Sequence, residues 1–163
     1  MRLETLDGRC TGCHICENFC SFHHEGAIWP ERARIAILLA GGQSDSGPFV
    51  VNICRQCDDA PCAAACPTGA ITLRSTASAV DPCTGAWVVD ARVCAACGDC
   101  VEACAYGAIR VDEDLGVALK CDLCAGEPEC AAMCPTGAVL WSMTIPGAQP
   151  RGTASCAVVR MQG

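Results

Sequence analysis

Four runs of closely spaced cysteines constrain the fold of this chain more than any other feature. Sixteen of the 18 cysteines follow one repeating scheme, and only Cys83 and Cys156 lie outside it. The runs are Cys10, Cys13, Cys16 and Cys20; Cys54, Cys57, Cys62 and Cys66; Cys94, Cys97, Cys100 and Cys104; and Cys121, Cys124, Cys130 and Cys134. Such regularity indicates a chain organised around bound metal, and we interpret the two remaining cysteines as structural or incidental thiols.

The spacing within the runs indicates which metal group they bind. Runs one and three follow C-x2-C-x2-C-x3-C, the spacing of bacterial ferredoxins in which the fourth cysteine binds the other [4Fe–4S] cluster of a pair. Runs two and four have a longer gap before the third cysteine but keep the final x3 step, and Pro67 and Pro135 follow their fourth cysteines. The sequence therefore predicts four 4Fe-4S clusters with all sixteen cysteines as ligands.

Disulfide bonds and structural zinc are the two alternatives. A high, even cysteine count is also typical of secreted disulfide scaffolds, but residues 1–7 contain no apolar signal core. No apolar stretch approaches the roughly 20 residues of a membrane span, so we expect a cytoplasmic protein with reduced thiols. Zinc sites usually close with two ligand pairs, whereas a triplet such as Cys94, Cys97 and Cys100 that sends Cys104 elsewhere suits a cubane cluster.

The composition indicates that bound metal contributes to the stability of the fold. Aromatic residues are 4% of the chain, and much of the 52% hydrophobic fraction is cysteine and alanine. Because metal binding can supply folding free energy directly, we expect the chain without metal to be largely unfolded. The formal net charge of −7 disfavours nucleic acid, opposes reduction of bound clusters and favours a basic docking face on a partner.

The segments after the fourth cysteines are near-repeats and predict short strands. Residues 66–71 and 134–139 are almost identical, and 104–109 is a looser copy. Each run is predicted to contain a helical turn that ends at its fourth cysteine. Strands are predicted at 71–74, 109–112 and 139–142, with 87–90 and 117–119 as returning strands of two hairpins and 34–39 and 49–53 as a further pair joined by a turn at 41–48.

These segments resemble a known family. With its four runs, the chain resembles the four-cluster ferredoxin subunits of anaerobic oxidoreductases, including those beside molybdenum and tungsten enzymes, over about residues 10–142. Residues 10–13 and 20–26, followed by Pro30 and Arg34-Ile35, resemble the ferredoxin-like subunits that accompany tungsten aldehyde oxidoreductases and benzoyl-CoA reductases; 120–124 is shared more widely. The chain departs from the ferredoxin pattern at Ser21 and Ala105, where proline is usual, so we expect a less rigid backbone there.

The resemblance implies an α+β fold of tandem bacterial-ferredoxin-like units, with short hairpins and helical turns around four iron–sulfur clusters. Residues 1–145 would form this domain, and 146–163 an arm or disordered tail. It also implies that runs two and three form one unit and runs one and four the other. Cys134 would then complete the first site, Cys104 the second, Cys66 the third and Cys20 the fourth. A competing arrangement pairs run one with two and run three with four.

The implied function is electron transfer without catalysis. The resemblance implies a subunit that relays electrons between a catalytic tungsten or molybdenum oxidoreductase subunit and an acceptor. The acceptor would be a flavoprotein such as a flavin NAD-binding subunit, a ferredoxin or further copies of the chain itself, and aldehyde oxidation would be the partner's reaction. A relay subunit of a formate dehydrogenase or hydrogenase, a free polyferredoxin and a zinc-binding interaction module are the alternatives. No nucleotide-binding glycine motif or Ser/His/Asp arrangement stands out, so we expect no catalytic residues.

Several other side chains are candidates for supporting roles. Lys120 either raises the potential of one cluster or is a surface charge. We expect His14 to lie at the surface or over a cluster rather than to ligate it, and His23 and His24 to form hydrogen bonds rather than transfer protons. The tryptophans are expected to cover clusters or interfaces: Trp29, Trp87 and Trp141.

Overall fold

The computed structural model describes residues 2–41, 48–75 and 85–142. The elements in this part of the chain are β1 (Arg2–Thr5), α1 (Ile15–Glu25), β2 (Ile35–Leu39), β3 (Phe49–Ile53), α2 (Pro61–Ala64), β4 (Ile71–Ser75), β5 (Gly85–Val89), α3 (Asp99–Glu102), β6 (Ile109–Asp112), β7 (Val117–Lys120), α4 (Glu129–Ala132) and β8 (Val139–Ser142). Single 3-10 turns lie at Asp7–Arg9, Pro30–Arg32 and Leu123–Gly126. Most of the predicted turn at 41–48, the tail at 146–163, Cys83 and Cys156 lie outside the described residues.

Four antiparallel two-stranded sheets form the frame: β2 with β3, β4 with β5, β6 with β7, and β1 with β8. The three predicted hairpin pairs are confirmed, with bounds that shift by one or two residues. The fourth pair was not predicted: it joins the two ends of the described chain, with Leu3 opposite Trp141. The mixed α/β class with short hairpins is therefore confirmed, while the tandem-unit organisation stays a prediction.

The helical turns differ from the prediction at the fourth cysteine. In runs two, three and four the helix ends before that cysteine, at Ala64, Glu102 and Ala132. In run one, α1 continues past Cys20 to Glu25. Continuation is possible because residue 21 is serine and not proline, so its backbone N–H remains and no ring clashes with the preceding turn.

Two hydrogen bonds hold the Ser21 side chain in place directly after the fourth cysteine of run one. Its side chain is fully buried, and its hydroxyl donates to the carbonyl of Asn18 at 2.9 Å and accepts the N–H of Trp29 at 3.0 Å. The serine therefore ties the segment after α1 back onto the helix.

Two small cores occupy the interior, and cysteine is a large part of each. The first joins five cysteines to aliphatic residues of the strands, of the 3-10 turn in run four and of the segment before β2: Leu3, Ala33, Ile35, Val51, Ile53, Ala86, Leu123, Val139, Cys16, Cys20, Cys54, Cys121 and Cys130. The second contains Cys62, Ile71, Cys100, Ile109 and Ala118. None of the helices in the described ranges is long and apolar enough to cross a membrane.

Candidate metal centres

The cysteines of run three form a concave site with the last cysteine of run two. Cys94, Cys97, Cys100 and Cys66 line a cavity of about 310 Å³, solvent space at its mouth included. Apart from Thr68, the other lining residues are alanine, glycine and isoleucine, so no charged side chain competes with the thiols. We call this the third site.

The second and first sites have the same construction. The second site is a cavity of about 420 Å³, measured in the same way, and its cysteines are Cys54, Cys57, Cys62 and Cys104. The first is a cavity of about 300 Å³, and its cysteines are Cys10, Cys13, Cys16 and Cys134.

The fourth group lies inside the protein. Cys121, Cys124 and Cys130 are buried, and so is Cys20. The Cys20 thiolate is near enough to repel each of the other three electrostatically. Each of the four groups thus contains three cysteines of one run and the fourth cysteine of another, which is the donor set that a 4Fe-4S cluster requires.

Helix packing explains this grouping. Helix α1, which carries Cys16 and Cys20, packs on α4, which carries Cys130; α2 with Cys62 packs on α3 with Cys100. Run one therefore faces run four, and run two faces run three. The cysteines that lie together are those that the crossed arrangement groups, while the assignment of each group to one cluster stays a prediction.

Backbone N–H groups point at several of the sulfurs. Arg34 N–H donates to Cys20 Sγ at 3.1 Å, and Ala70 N–H donates to Cys66 Sγ at 3.3 Å. The hydroxyl of Thr68 lies 3.6 Å from the same sulfur. Desolvation raises the pKa of Cys66, but the hydrogen bonds from Thr68 and the neighbouring N–H groups outweigh it, so the pKa lies below its usual value. Hydrogen bonds of this kind favour the thiolate, which is the form that binds metal.

Burial has the opposite effect on the internal thiols. Desolvation, reinforced by the charge of Glu17, raises the pKa of Cys16 to about 12. Desolvation also raises the pKa of Cys124 to about 11 and that of Cys121 well above its usual value. Without a bound metal these groups are therefore neutral thiols at pH 7, and metal binding has to displace their protons.

The loops that carry the cysteines hold unusual backbone conformations. All the described non-glycine residues with positive φ lie within the runs: His14, Gln56, Ala60, Ala96, Leu123, Cys124 and Ala125. Such conformations cost free energy and concentrate at functional sites. In run one, Gly12 has φ +69°, and a Cβ at this position would lie 2.4 Å from the ring of Phe49.

We predict that Gly12→Ala destabilises the first site by about 2 to 5 kcal/mol. The left-handed conformation costs a non-glycine residue about 1 to 2 kcal/mol, and displacement of the Phe49 ring adds about 1 to 3 kcal/mol. The measurement is the rate of chelator-driven iron loss, with alkylation of Cys10 and Cys13 as the local report. Gly69→Ala is the matched control, because Gly69 has φ +62° but open space at its Cβ. Equal rates in both variants would contradict the packing argument.

A buried polar network lies between the second and fourth sites and was only partly foreseen. Lys120 is 5% exposed, so its interpretation as a surface charge is wrong, and Gln56 is 2% exposed. Lys120 Nζ donates to the carbonyl of Trp87 at 2.6 Å, and Gln56 Nε2 donates to that of Cys121 at 2.7 Å. The Trp87 indole N–H donates to the carbonyl of Cys57 at 3.1 Å, and its ring lines the second site. Gln56 gave no signal in the sequence.

His14 and two of the three tryptophans have different surroundings. His14 lines the first site, and its Nδ1 contacts the carboxylate of Glu17, whose other oxygen accepts Ile37 N–H at 2.7 Å. Trp29 packs under the guanidinium of Arg32 at 3.9 Å from the ring centroid. Trp141 packs against the first core.

His23 and His24 lie beside the fourth site and face acidic side chains. His24 Nε2 is 3.5 Å from an oxygen of Asp122, and His23 Nδ1 is 3.8 Å from one of Glu129. Ligand atoms of both histidines and of Cys124 lie within 4.8 Å of one another. Because Cys124 already belongs to the fourth group of cysteines, this cluster is part of the surroundings of that site.

Comparisons with known proteins show which family the chain resembles. A family model described as a 4Fe-4S dicluster domain matches residues 46–143. The polyferredoxin-like subunit of an aliphatic sulfonate oxidoreductase from Pyrococcus furiosus is 42% identical over 77% of this chain and 66% of its own length. The beta subunit of an NADH-dependent phenylglyoxylate dehydrogenase from Aromatoleum evansii is 37% identical over 80% of this chain and 28% of its own length. The chain thus spans less than two thirds of these two relatives. The electron transport protein HydN of Escherichia coli is 34% identical over 81% of this chain and 82% of its own length.

Proposed function

This chain belongs to the family of iron–sulfur proteins with a 4Fe-4S dicluster domain, and from that premise we propose that it is a four-cluster relay subunit of an oxidoreductase complex. It is a non-catalytic electron-transfer protein. The observation that carries the proposal is the division of the sixteen described cysteines into four groups of four. These sixteen cysteines are the proposed ligands.

The residues of the chain bind, space and shield the clusters. Four thiolates per site leave no coordination position for a substrate. A bound 4Fe-4S cluster takes up and gives up single electrons at a potential set by charge, hydrogen bonds to sulfur and exposure. The chain controls these settings through its N–H groups beside Cys20 and Cys66, through burial of the fourth site and through the loops that close each site.

Neighbouring thiols support a linear order of the sites. Cys16 of the first site is near enough to Cys130 of the fourth for their thiolates to repel each other. The same holds for Cys121 of the fourth site with Cys54 of the second. Cys100 of the third site is likewise near enough to Cys62 of the second for their thiolates to repel each other. The proposed order along the relay is first, fourth, second, third.

Exposure supports the two ends of this order as docking points. Cys13 of the first site and Cys97 of the third are exposed. The fourth site, by contrast, has four buried cysteines. Electrons would therefore enter and leave through the first and third sites, each facing a different partner.

The proposed partner is a catalytic tungsten or molybdenum subunit of the aldehyde oxidoreductase type, with a flavin NAD-binding subunit, a ferredoxin or another copy of the chain on the other side. Support comes from the resemblance of the segments around run one, and from relatives that are named as subunits of oxidoreductases. A reducing compartment such as the cytoplasm fits sixteen ligating thiols.

Anaerobic purification through a tag on this chain, followed by multi-element analysis, tests the partner. We expect iron together with tungsten in one peak that also contains a second polypeptide. Molybdenum or nickel in that peak would move the proposal to a formate dehydrogenase or hydrogenase partner, and iron without a second metal would favour a free carrier. Zinc without iron would overturn the proposed function.

A further inference from the structure

Lys120 places a buried positive charge against the second site. It is the last residue of β7, and it lines the second-site cavity. Its ammonium donates to two backbone carbonyls, those of Trp87 at 2.6 Å and Cys121 at 3.3 Å. Within the described ranges it forms no salt bridge with a carboxylate. A buried ammonium whose charge is not neutralised by a carboxylate favours an anion nearby.

Gln56 holds the acceptors of that ammonium in position. Its Oε1 accepts the N–H of Trp87 at 2.8 Å, and its Nε2 donates to the carbonyl of Cys121 at 2.7 Å. Its Nε2 also donates to the carbonyl of Trp87 at 3.5 Å, so Gln56 contacts both carbonyls that accept hydrogen bonds from Lys120. Lys120 directly precedes Cys121, the first cysteine of run four. Its charge nevertheless attracts the Cys62 thiolate of the second site.

Arg55 provides the contrast within the same cavity. It also lines the second site, but it is exposed, and its guanidinium lies 5.9 Å from the ring centroid of Tyr106. Water and salt screen an exposed charge far more than a buried one. The two cations beside this site therefore differ mainly in burial.

We propose that Lys120 is a positioning residue that raises the reduction potential of the second-site cluster above the value this site would otherwise have. Reduction adds one negative charge at the site, and a fixed cation in a region of low dielectric constant stabilises that charge. In the order proposed above, the second site is internal, so Lys120 makes the middle of the relay retain an electron more strongly. This inference rests on the proposed function, because it requires a cluster at the second site.

A redox titration of the iron-loaded full chain, followed by electron paramagnetic resonance, tests the proposal. Lys120→Met is expected to make reduction of one cluster at least tenfold less favourable in its equilibrium constant. For one electron, this lowers the midpoint potential of that cluster by about 59 mV. Lys120→Arg keeps the charge and is expected to stay near the wild type. Arg55→Met removes the exposed charge and is expected to shift the same potential much less.

The shifted potential is assigned with a variant that lacks the second site. When Lys120→Met is added to Cys104→Ala, the midpoint potentials of the remaining clusters are expected to change by only a small fraction of that shift. A tenfold shift that persists in this background would assign the effect to another site and overturn the proposal. Unchanged potentials in Lys120→Met, or an equal shift in Arg55→Met, would also overturn it.

Iron content separates this inference from the proposed function. If Lys120→Met loses iron, Lys120→Gln carries the same test, because it keeps an N–H donor without the charge. Iron loss from both neutral variants, with full iron in Lys120→Arg, would make Lys120 a structural residue and overturn its role in the potential. A wild-type chain without iron would instead overturn the proposed function itself.

Discussion

Replacing Cys104 by alanine is expected to remove about a quarter of the bound iron, from about 16 to about 12 atoms per chain for four 4Fe-4S sites. The site that is lost should be the second and not the third, although Cys104 belongs to run three in sequence. The reason is geometric: Cys104 lines the cavity of Cys54, Cys57 and Cys62. Alkylation by iodoacetamide, read by mass spectrometry, identifies the cysteines that have lost their metal.

The pattern of alkylation decides between the two arrangements. Modification of Cys54, Cys57 and Cys62 is the expected result, while the cysteines of the other three sites stay protected. Cys66→Ala is the matched variant, and it should expose Cys94, Cys97 and Cys100 instead, with the same loss of iron. Cys83→Ala is the control that should keep all the iron. If Cys104→Ala exposed Cys121, Cys124 and Cys130, the competing arrangement would be correct.

Removal of iron is expected to unfold most of the chain. Among the described residues, the buried members of the second core besides its two cysteines are Ile71, Ile109 and Ala118. The largest fully buried side chains of the described residues include no aromatic residue. Structural metal sites supply on the order of 10 kcal/mol each in small domains, whereas whole domains are stable by only about 5 to 15 kcal/mol. The free energy lost with four such sites therefore exceeds any free energy of unfolding that the two cores can provide.

Far-UV circular dichroism before and after anaerobic chelation measures this effect. We expect loss of the α1 helical signal and rapid proteolysis within the cysteine runs. A sample that is carried through the same steps without chelator controls for oxidation of the thiols. A native-like spectrum and unchanged protease resistance after iron removal would contradict the account.

The hairpins could be predicted from the sequence because their signals are local. A glycine-alanine step leads directly into β4, β6 and β8, and aliphatic residues follow within each segment. Pairing of β1 with β8 could not be predicted in this way. Arg2–Thr5 is a four-residue segment whose partner lies at the other end of the described chain, and nothing local indicates such a partner.

Lys120 shows the same limit for the metal centres. Spacing alone grouped the cysteines into runs, and the resemblance supplied the crossed arrangement that the geometry also displays. Burial of Lys120 depends on Trp87, which is 33 positions earlier, and on the Gln56 side chain, which reaches Cys121 across 65 positions. The extension of α1 past Cys20 has a local signal, the serine at position 21. The hydrogen bond from Trp29 N–H to that serine could not be predicted, because Trp29 lies after the helix.

The iron and acid-labile sulfide content of the anaerobically purified chain tests the central claim most directly. Four cubane sites predict about 16 iron and about 16 sulfide per chain, with no zinc. A value near 8 of each would limit the chain to two clusters and contradict four equivalent groups of ligands. Zinc in place of iron and sulfide would contradict the account of this protein as an electron relay.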